Sequence, residues 1–458
     1  MTTPSAPPRP APAPPRDYAF PAFERRTLAN GMRLVVAPVH KLPLVTALAV
    51  VEAGAVCDPA GREGLATLVA SALAEGTQRA DGVELTDRLE RLGTSLDTGA
   101  DWDSAAARLT VHASRLGEAL ALLGEVLMTP AFAERDVERL KAERQAEILQ
   151  LRAEPRGLAD ETFDRVLYAP GSRYACPEGG TSASVAQLDA AQVKRFHEER
   201  YRPGAVTLVI VGAVTASEAE RLAERTFGGW LGSSAPAISP ADRPARFTRG
   251  VHLVRKEDAA QSEIRLGHVG VPRSHPDYFP VTVMNAILGG LFSSRINLNL
   301  REKHGYTYGA FSGFEWRRGA GPWSVSTAVQ SDVTAAAASQ TLLEIDRTRA
   351  EPVGADELSL ATSYLDGVFP IRFETTVSIA VALANMEIYG LPPDYYDTYR
   401  ANVRAVTEAD VLEAAKRHLH PDRLQLLVVG APATVRLPLE QLGFGPMTEY
   451  DTEGHALP

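Results

Sequence analysis

"SVAQLDAAQVKRFHEERYRPGAVTLVIVGAV" (Ser184–Val214) and "NVRAVTEADVLEAAKRHLHPDRLQLLVVGAP" (Asn402–Pro432) align without a gap at an offset of 218 residues. Val185 falls on Val403, Val193 on Val411, Pro203 on Pro421 and Gly212 on Gly430. Each stretch reads as one structural unit. Asp189 or Thr407 stands where an N-cap belongs, ahead of a helical pattern. A proline then stops the chain, and an unbroken apolar run, "VTLVIVG" or "LQLLVVG", predicts a strand buried on both faces. The shared order and spacing predict a duplicated chain in which each copy closes one half.

Working outward, "GSSAPAISPADRPAR" (Gly232–Arg246) between the copies has the Pro/Ser/Ala content of a linker. The resulting division is a tail over 1–18, one domain over 19–231, a linker over 232–247, a second domain over 248–450 and a short tail over 451–458. In the first half "MRLVVAPV" and "VTALAVVEAG" read as strands, and a long charged helix runs from Glu134 to Ala153. Strands followed by helices predict an α+β fold. The expected architecture is two homologous α/β-sandwich halves, helices packed on a mostly antiparallel sheet, forming a half clam-shell. The halves are expected to face one another across a cleft.

Composition narrows the function. The 458 residues are 45% hydrophobic and 23% charged, as in an ordinary globular chain of several domains. A net charge of −10 gives no basic surface for nucleic acid. Cys57 and Cys176 are too few for a disulfide framework and match no zinc spacing, so two unpaired thiols are expected. The opening "MTTPSAPPRPAPAPPR" reads as a disordered or polyproline tail without the apolar core of a secretory signal. No continuous apolar run reaches membrane-spanning length. These features predict no membrane contact and a cytoplasmic protein, or a periplasmic one if a leader has been trimmed.

"GLATLVASALAEGT" (Gly64–Thr77) predicts an amphipathic helix. Leu65, Leu68, Val69, Ala72 and Leu73 recur at helical spacing and would face a core. The neighbouring stripe of Thr67, Ala70, Ser71 and Ala74 is small and uncharged.

This helix belongs to an ordered set of motifs. "LANGMRLVV" begins at Leu28, "GAVCDPAGREGLATLVASALAEGT" at Gly54 and "ERLKAERQAEILQLRAEP" at Glu138; "FGGW" follows at Phe227 and "SSRINLNLREKHGYTYGAFSGF" at Ser293. In this order the chain, from about Phe23 to Val435, resembles the pitrilysin/insulinase family of zinc peptidases, the inverzincins. Mitochondrial processing peptidase and the respiratory-complex core proteins belong to the same group. The resemblance implies an H-x-x-E-H helix, whose histidines bind zinc and whose glutamate activates the bound water. Thr67 and Ser71 fall at the histidine positions and Ala70 at the glutamate. Glu147, 76 residues after Ser71, falls at the third ligand. One carboxylate does not hold zinc, so no metal or other cofactor is expected in this chain. Taken alone, Glu147 is an ordinary glutamate, solvated or salt-bridged, on a charged helix.

The second half keeps what the first has lost. The resemblance implies an arginine and a tyrosine seven residues apart that meet the substrate over the zinc. Arg301 and Tyr308 have that spacing. Gly305 suits a left-handed helix cap, and "YTYGAFSGFEW" reads as a strand with Tyr306 and Tyr308 on one face. Without the family pattern, Arg301 with Lys303 and His304 would simply complement a helix dipole and Tyr308 would pack.

The loss on one side and retention on the other predict an accessory subunit that is inactive alone. A homologous H-x-x-E-H-bearing partner would hold the zinc, and Arg301 and Tyr308 would act in trans on a peptide or unfolded polypeptide. A non-catalytic scaffold and a stand-alone peptide-binding protein are the alternatives. "ILGGLFSSR" has only Gly289 and Gly290 where the processing peptidase's non-catalytic chain carries a long glycine-rich loop. The two glycines are expected to allow a tight turn into the next helix.

Overall fold

A computed structural model describes residues 17–232, 235–238 and 242–458. The proposed N-terminal tail, apart from its last residues, and part of the linker lie outside the described residues. Strands β1 (Glu24–Thr27), β2 (Arg33–Pro38), β3 (Leu44–Val51), β4 (Asp97–Ala100), β5 (Ala105–His112) and β6 (Val206–Gly212) form one sheet in the order β1-β2-β6-β3-β5-β4. Strands β7 (Gly250–Arg255), β8 (Gln261–Val269), β9 (Ala310–Phe314), β10 (Pro322–Gln330), β11 (Gln425–Gly430) and β12 (Met447–Tyr450) form the second, in the order β9-β10-β8-β11-β7-β12.

Read from opposite ends, the two orders coincide: β2 corresponds to β7, β3 to β8, β4 to β9, β5 to β10 and β6 to β11. Both sheets are mostly antiparallel, with β2 and β6 parallel in the first and β11 parallel to β7 in the second. They differ only at one edge. There β1 precedes its half and runs antiparallel to β2, whereas β12 follows its half and runs parallel to β7.

The aligned segments fold alike for a local reason. Both helices, Ala190–Arg200 and Glu408–His418, open with a capping box. Asp189 accepts from the Gln192 amide and Thr407 from the Asp410 amide, and each third residue bonds back. Pro203 and Pro421 then begin single 3₁₀ turns that lead into β6 and β11.

The halves do not face one another across a cleft; they exchange helices. In the first half the helices α1 (Leu65–Ala72), α2 (Leu116–Met128), α3 (Glu134–Ala153) and α4 (Pro155–Leu167) follow the early strands. Val45, Ala47, Ala49 and Val51 of β3 turn toward this half's own helical core, with Leu68, Val69 and Leu120. Leu48 and Val50, on the opposite face of β3, join Val209 and Val211 of β6 in a core that belongs mainly to the second half.

The second half includes α5 (Tyr278–Asn285) and α6 (Thr376–Tyr389). Ile379 and Leu383 of α6 are buried in that shared core, and the Thr376 hydroxyl lies 2.8 Å from the Thr46 hydroxyl of β3. Reciprocally, Leu158, Phe163 and Val166 of α4 pack with Leu427 and Val429 of β11. Arg265 of β8 donates to Asp160 of α4 at 2.7 Å. Burying each such apolar side chain contributes about 1.5–3 kcal/mol to the joint.

The helical stretch Tyr278–Lys303 is long and apolar enough to cross a membrane by composition, but 56% of its apolar window is buried inside the fold. That is the signature of a core helix. Both cysteines are free thiols.

His197 yields a prediction about acid stability. Its Nε2 donates to the Leu127 carbonyl at 2.9 Å, and its ring stacks on Tyr201. Burial pushes the imidazole down to about 4, against about 6.5 in the unfolded chain. Below pH 6.5 the unfolded state therefore gains a proton that the folded state refuses. The stability due to neutral His197 is whole above pH 6.5 and is lost as pH falls through about 4. His197→Gln keeps a donor and removes the titration. The stability difference between wild type and variant should shift against the wild type by at most ~1.4 kcal/mol per pH unit in that window. Denaturant midpoints at pH 7.5, 6 and 5 measure it, and a pH-independent difference would sink the argument.

Candidate functional site

The helix "GLATLVASALAEGT" forms as α1 followed by a 3₁₀ turn, Leu73–Glu75. Its N-terminus is anchored by Asp58, which accepts from the Gly64 amide at 2.8 Å and the Ala66 amide at 2.7 Å. Arg173 donates to the same carboxylate at 2.9 Å. Gly64 has φ +96, and a Cβ there would collide with the Gly179 carbonyl, so only glycine fits.

All five residues expected on the core face are buried. The small stripe is not uniform, however. Ala70 is 0% exposed and sits in the core. Thr67 and Ser71, one turn apart, line a cavity of about 80 Å³ with Leu140, Arg144 and Glu147 of α3. Three of the four motif positions thus meet at one place.

The residue that sequence reasoning missed here is Arg144. Its Nη1 donates to Glu147 Oε2 at 3.1 Å and its Nε donates to the Gly179 carbonyl at 3.0 Å. The i, i+3 spacing on one helix is the signal that finds it. A guanidinium therefore already supplies positive charge to the carboxylate at the position of the family's third ligand. Thr67 Oγ1 has no hydrogen-bond partner among the described residues, and the cavity has room for the water a buried hydroxyl needs. Two hydroxyls and one carboxylate paired with arginine do not fit zinc, which takes nitrogen, thiolate or several carboxylate donors.

Glu147 is 62% exposed at its side chain, and such a pair contributes about 0–1 kcal/mol. Glu147→Gln should leave stability within about 0.5 kcal/mol and leave the isolated chain without stoichiometric zinc after dialysis against zinc chloride. Zinc that binds one to one and depends on Glu147 would overturn this reading.

A second group of ligand-type side chains, His275, Asp277 and His418, brings ligand atoms within 4.8 Å of one another. It is a charge-paired strut between helices. His418 Nε2 lies 2.8 Å from Asp277 Oδ2, and the Arg417 guanidinium is 3.6 Å from the same oxygen.

In the second half, Arg301 lies in a π-helical turn, Leu298–Lys303, after a first π turn at Ala286–Gly290. Such wide turns recur at functional sites. Its guanidinium sits 4.5 Å from the centroid of the Phe292 ring and 3.2 Å from Glu302 Oε1. Gly305 caps the turn with φ +66, as expected.

The strand does not begin at Tyr306. It begins at Ala310, because the Thr307 hydroxyl accepts from the Gly309 amide at 3.1 Å and bends the chain into a turn. Tyr306 and Tyr308 therefore share no strand face. Tyr306 stacks on His304, whereas Tyr308 is 93% exposed and has no hydrogen-bond partner among the described residues. Phe292, beneath Arg301, and Phe311, beyond Tyr308, are exposed as well. Gly289 does not serve a turn into the next helix; a Cβ there would collide with Ser312 of β9, so it permits close packing of the π turn on the strand.

The duplicated sandwich carries Thr67, Ala70 and Ser71 on its motif helix in one half, and a partly buried Arg301 and an exposed Tyr308 in the other. The comparisons with known proteins give its family. Residues 35–172 match the insulinase family (peptidase family M16), and residues 187–365 match the peptidase M16 inactive domain. The chain belongs to the M16 peptidase family.

An uncharacterized zinc protease of Mycobacterium tuberculosis is 25% identical over 442 residues, covering 95% of this chain and 99% of that protein. A probable mitochondrial-processing peptidase subunit beta of Schizosaccharomyces pombe is 26% identical over 278 residues, 59% of this chain and 60% of that protein. Among solved structures, a peptidase M16 inactive domain from Pseudomonas fluorescens superposes with a TM-score of 0.84 at 26% identity, covering 89% of this chain and 98% of that one. A protease from Helicobacter pylori shares the fold, with a TM-score of 0.83 at 16% identity over 90% of this chain and all of that one.

Proposed function

We propose that this chain is the zinc-free subunit of a two-chain metallopeptidase. It would present Arg301 and Tyr308 to a peptide held against a homologous, zinc-bearing partner. The observation that carries the proposal is the asymmetry between the halves. The motif helix lacks His, Glu and His at the family positions, while Arg301 and Tyr308 are retained, with Tyr308 exposed and unbonded among the described residues. A phenol with no internal partner is free to donate to a substrate oxygen. The exposed aromatic surface around the pair supports contact with another molecule.

In this reading the partner's zinc supplies Lewis-acid and nucleophile-generating chemistry. Tyr308 donates a hydrogen bond to the scissile carbonyl oxygen as negative charge develops on it. Arg301 binds a neighbouring carbonyl and adds positive potential.

Mixing tests the proposal. The chain alone should not cleave unfolded polypeptide, and activity should appear on adding the zinc-bearing homologue. If that homologue is as active alone as in the mixture, the scaffold reading replaces this one.

A further inference from the structure

Away from both sites, a cavity of about 500 Å³ opens between the loop before α5, helix α6 and the helix Tyr395–Ala405. That volume is in the range of small-ligand sites. Its walls are aromatic, with Tyr278, Trp316, Tyr395 and Tyr399 among them. Two guanidiniums, Arg273 and Arg372, line it, and no carboxylate does among the described residues.

Arg273 lies 3.8 Å from the centroid of the Tyr278 ring and 4.9 Å from that of Tyr395, whose hydroxyl accepts one hydrogen bond from it. An arginine side chain carries five N–H donors. Neither Arg273 nor Arg372 forms an ion pair among the described residues. This distinguishes them from Arg265, Arg317 and Arg400, whose guanidiniums all meet carboxylates. Arg273 is half-buried, where a guanidinium is normally paired, whereas Arg372 is exposed at the mouth. The ring faces offset part of that demand, and the rest is for an anion.

We propose that this cavity binds a carboxylate carried on a flat apolar group. The arginines would take the carboxylate in the two-pronged geometry that guanidinium favours, and the ring would lie among Tyr278, Trp316 and Tyr399. The same chemistry is offered by a free aromatic acid and by the C-terminal residue of a peptide. The site needs neither Arg301 and Tyr308 nor a partner chain.

Titration calorimetry on the isolated full chain tests it. The probes are N-acetylphenylalanine and its amide, and a short polyalanine peptide ending in phenylalanine, with a free or an amidated C-terminus. At least one acid should bind, its amide at least about tenfold more weakly, as expected for losing a charged hydrogen-bond partner. Arg273→Gln and Arg372→Gln should weaken the acid by about tenfold and leave the amide unchanged. Arg372 is exposed, so its variant tests the site even if Arg273→Gln impairs folding. Tighter binding of the peptide acid identifies a chain terminus as the source, and tighter binding of the free acid a small molecule. No binding of either acid, equal binding of acid and amide, or indifference to both arginine variants overturns the proposal.

Discussion

Tyr308→Phe, assayed in the mixture of this chain with its zinc-bearing partner, is expected to lower kcat by about 10²–10³-fold with little change in KM. That is the loss seen when one donor to a developing oxyanion is removed. The prediction is clean because the hydroxyl bonds to none of the described residues. Tyr308 is 93% exposed and its oxygen has no partner among the described residues, so the variant should melt with the wild type. A fall in activity can then only come from contact with something outside this chain. Arg301→Ala should raise KM as well, since its guanidinium would hold the substrate before and during reaction. Arg301→Lys should recover only part of the activity, because lysine keeps the charge but loses the planar fork and its stacking on Phe292. If all three variants match the wild type in the mixture, the Arg/Tyr pair is a relic and the trans mechanism is wrong.

Legibility in the sequence follows the range of the forces involved. The N-caps at Asp189 and Thr407, the strands β6 and β11 and the extent of α3 depend on residues a few positions apart, and all were readable. The cavity beneath α1 was half readable. The family resemblance placed Thr67, Ser71 and Glu147 together, whereas Arg144 stands in the same quoted motif as Glu147 and went unread because its role is an i, i+3 pairing and not a family position. Ala70 looked like part of an open stripe because helical spacing separates faces and does not say how wide the buried one is. The Tyr306–Tyr308 segment mimicked a strand through its alternating aromatics. A single threonine hydroxyl, bonded two residues on, was enough to turn it. Least readable was the exchange of α4 and α6 between halves. Both faces of β3 and β6 are apolar, and an unbroken apolar run does not reveal which half supplies the second layer.

That joint sets the second large effect. Arg317 is 2% exposed, and its guanidinium lies over Trp102 at 4.2 Å and Tyr174 at 4.8 Å. It meets Asp164 of α4 at 3.3 Å and Glu315 at 2.8 Å. The segment around it, Glu315–Gly321, belongs to the second half, whereas the rings and Asp164 belong to the first. Backbone groups of that segment bond there too: Gly319 donates to the Tyr174 hydroxyl, and the Ala320 carbonyl accepts from Tyr168 at 2.8 Å. Arg317→Met keeps most of the volume but leaves Asp164 facing the interior without its cation. Such a change typically costs about 3–5 kcal/mol, most of it from the stranded charge and not from the lost attraction. Denaturant unfolding should show that loss. Adding Asp164→Asn to Arg317→Met should then restore part of it, since the double variant buries no unpaired carboxylate on α4. If the two substitutions are instead additive, the ion pair is not what couples the halves. The joint would then rest on the aromatic stack and the exchanged helices alone.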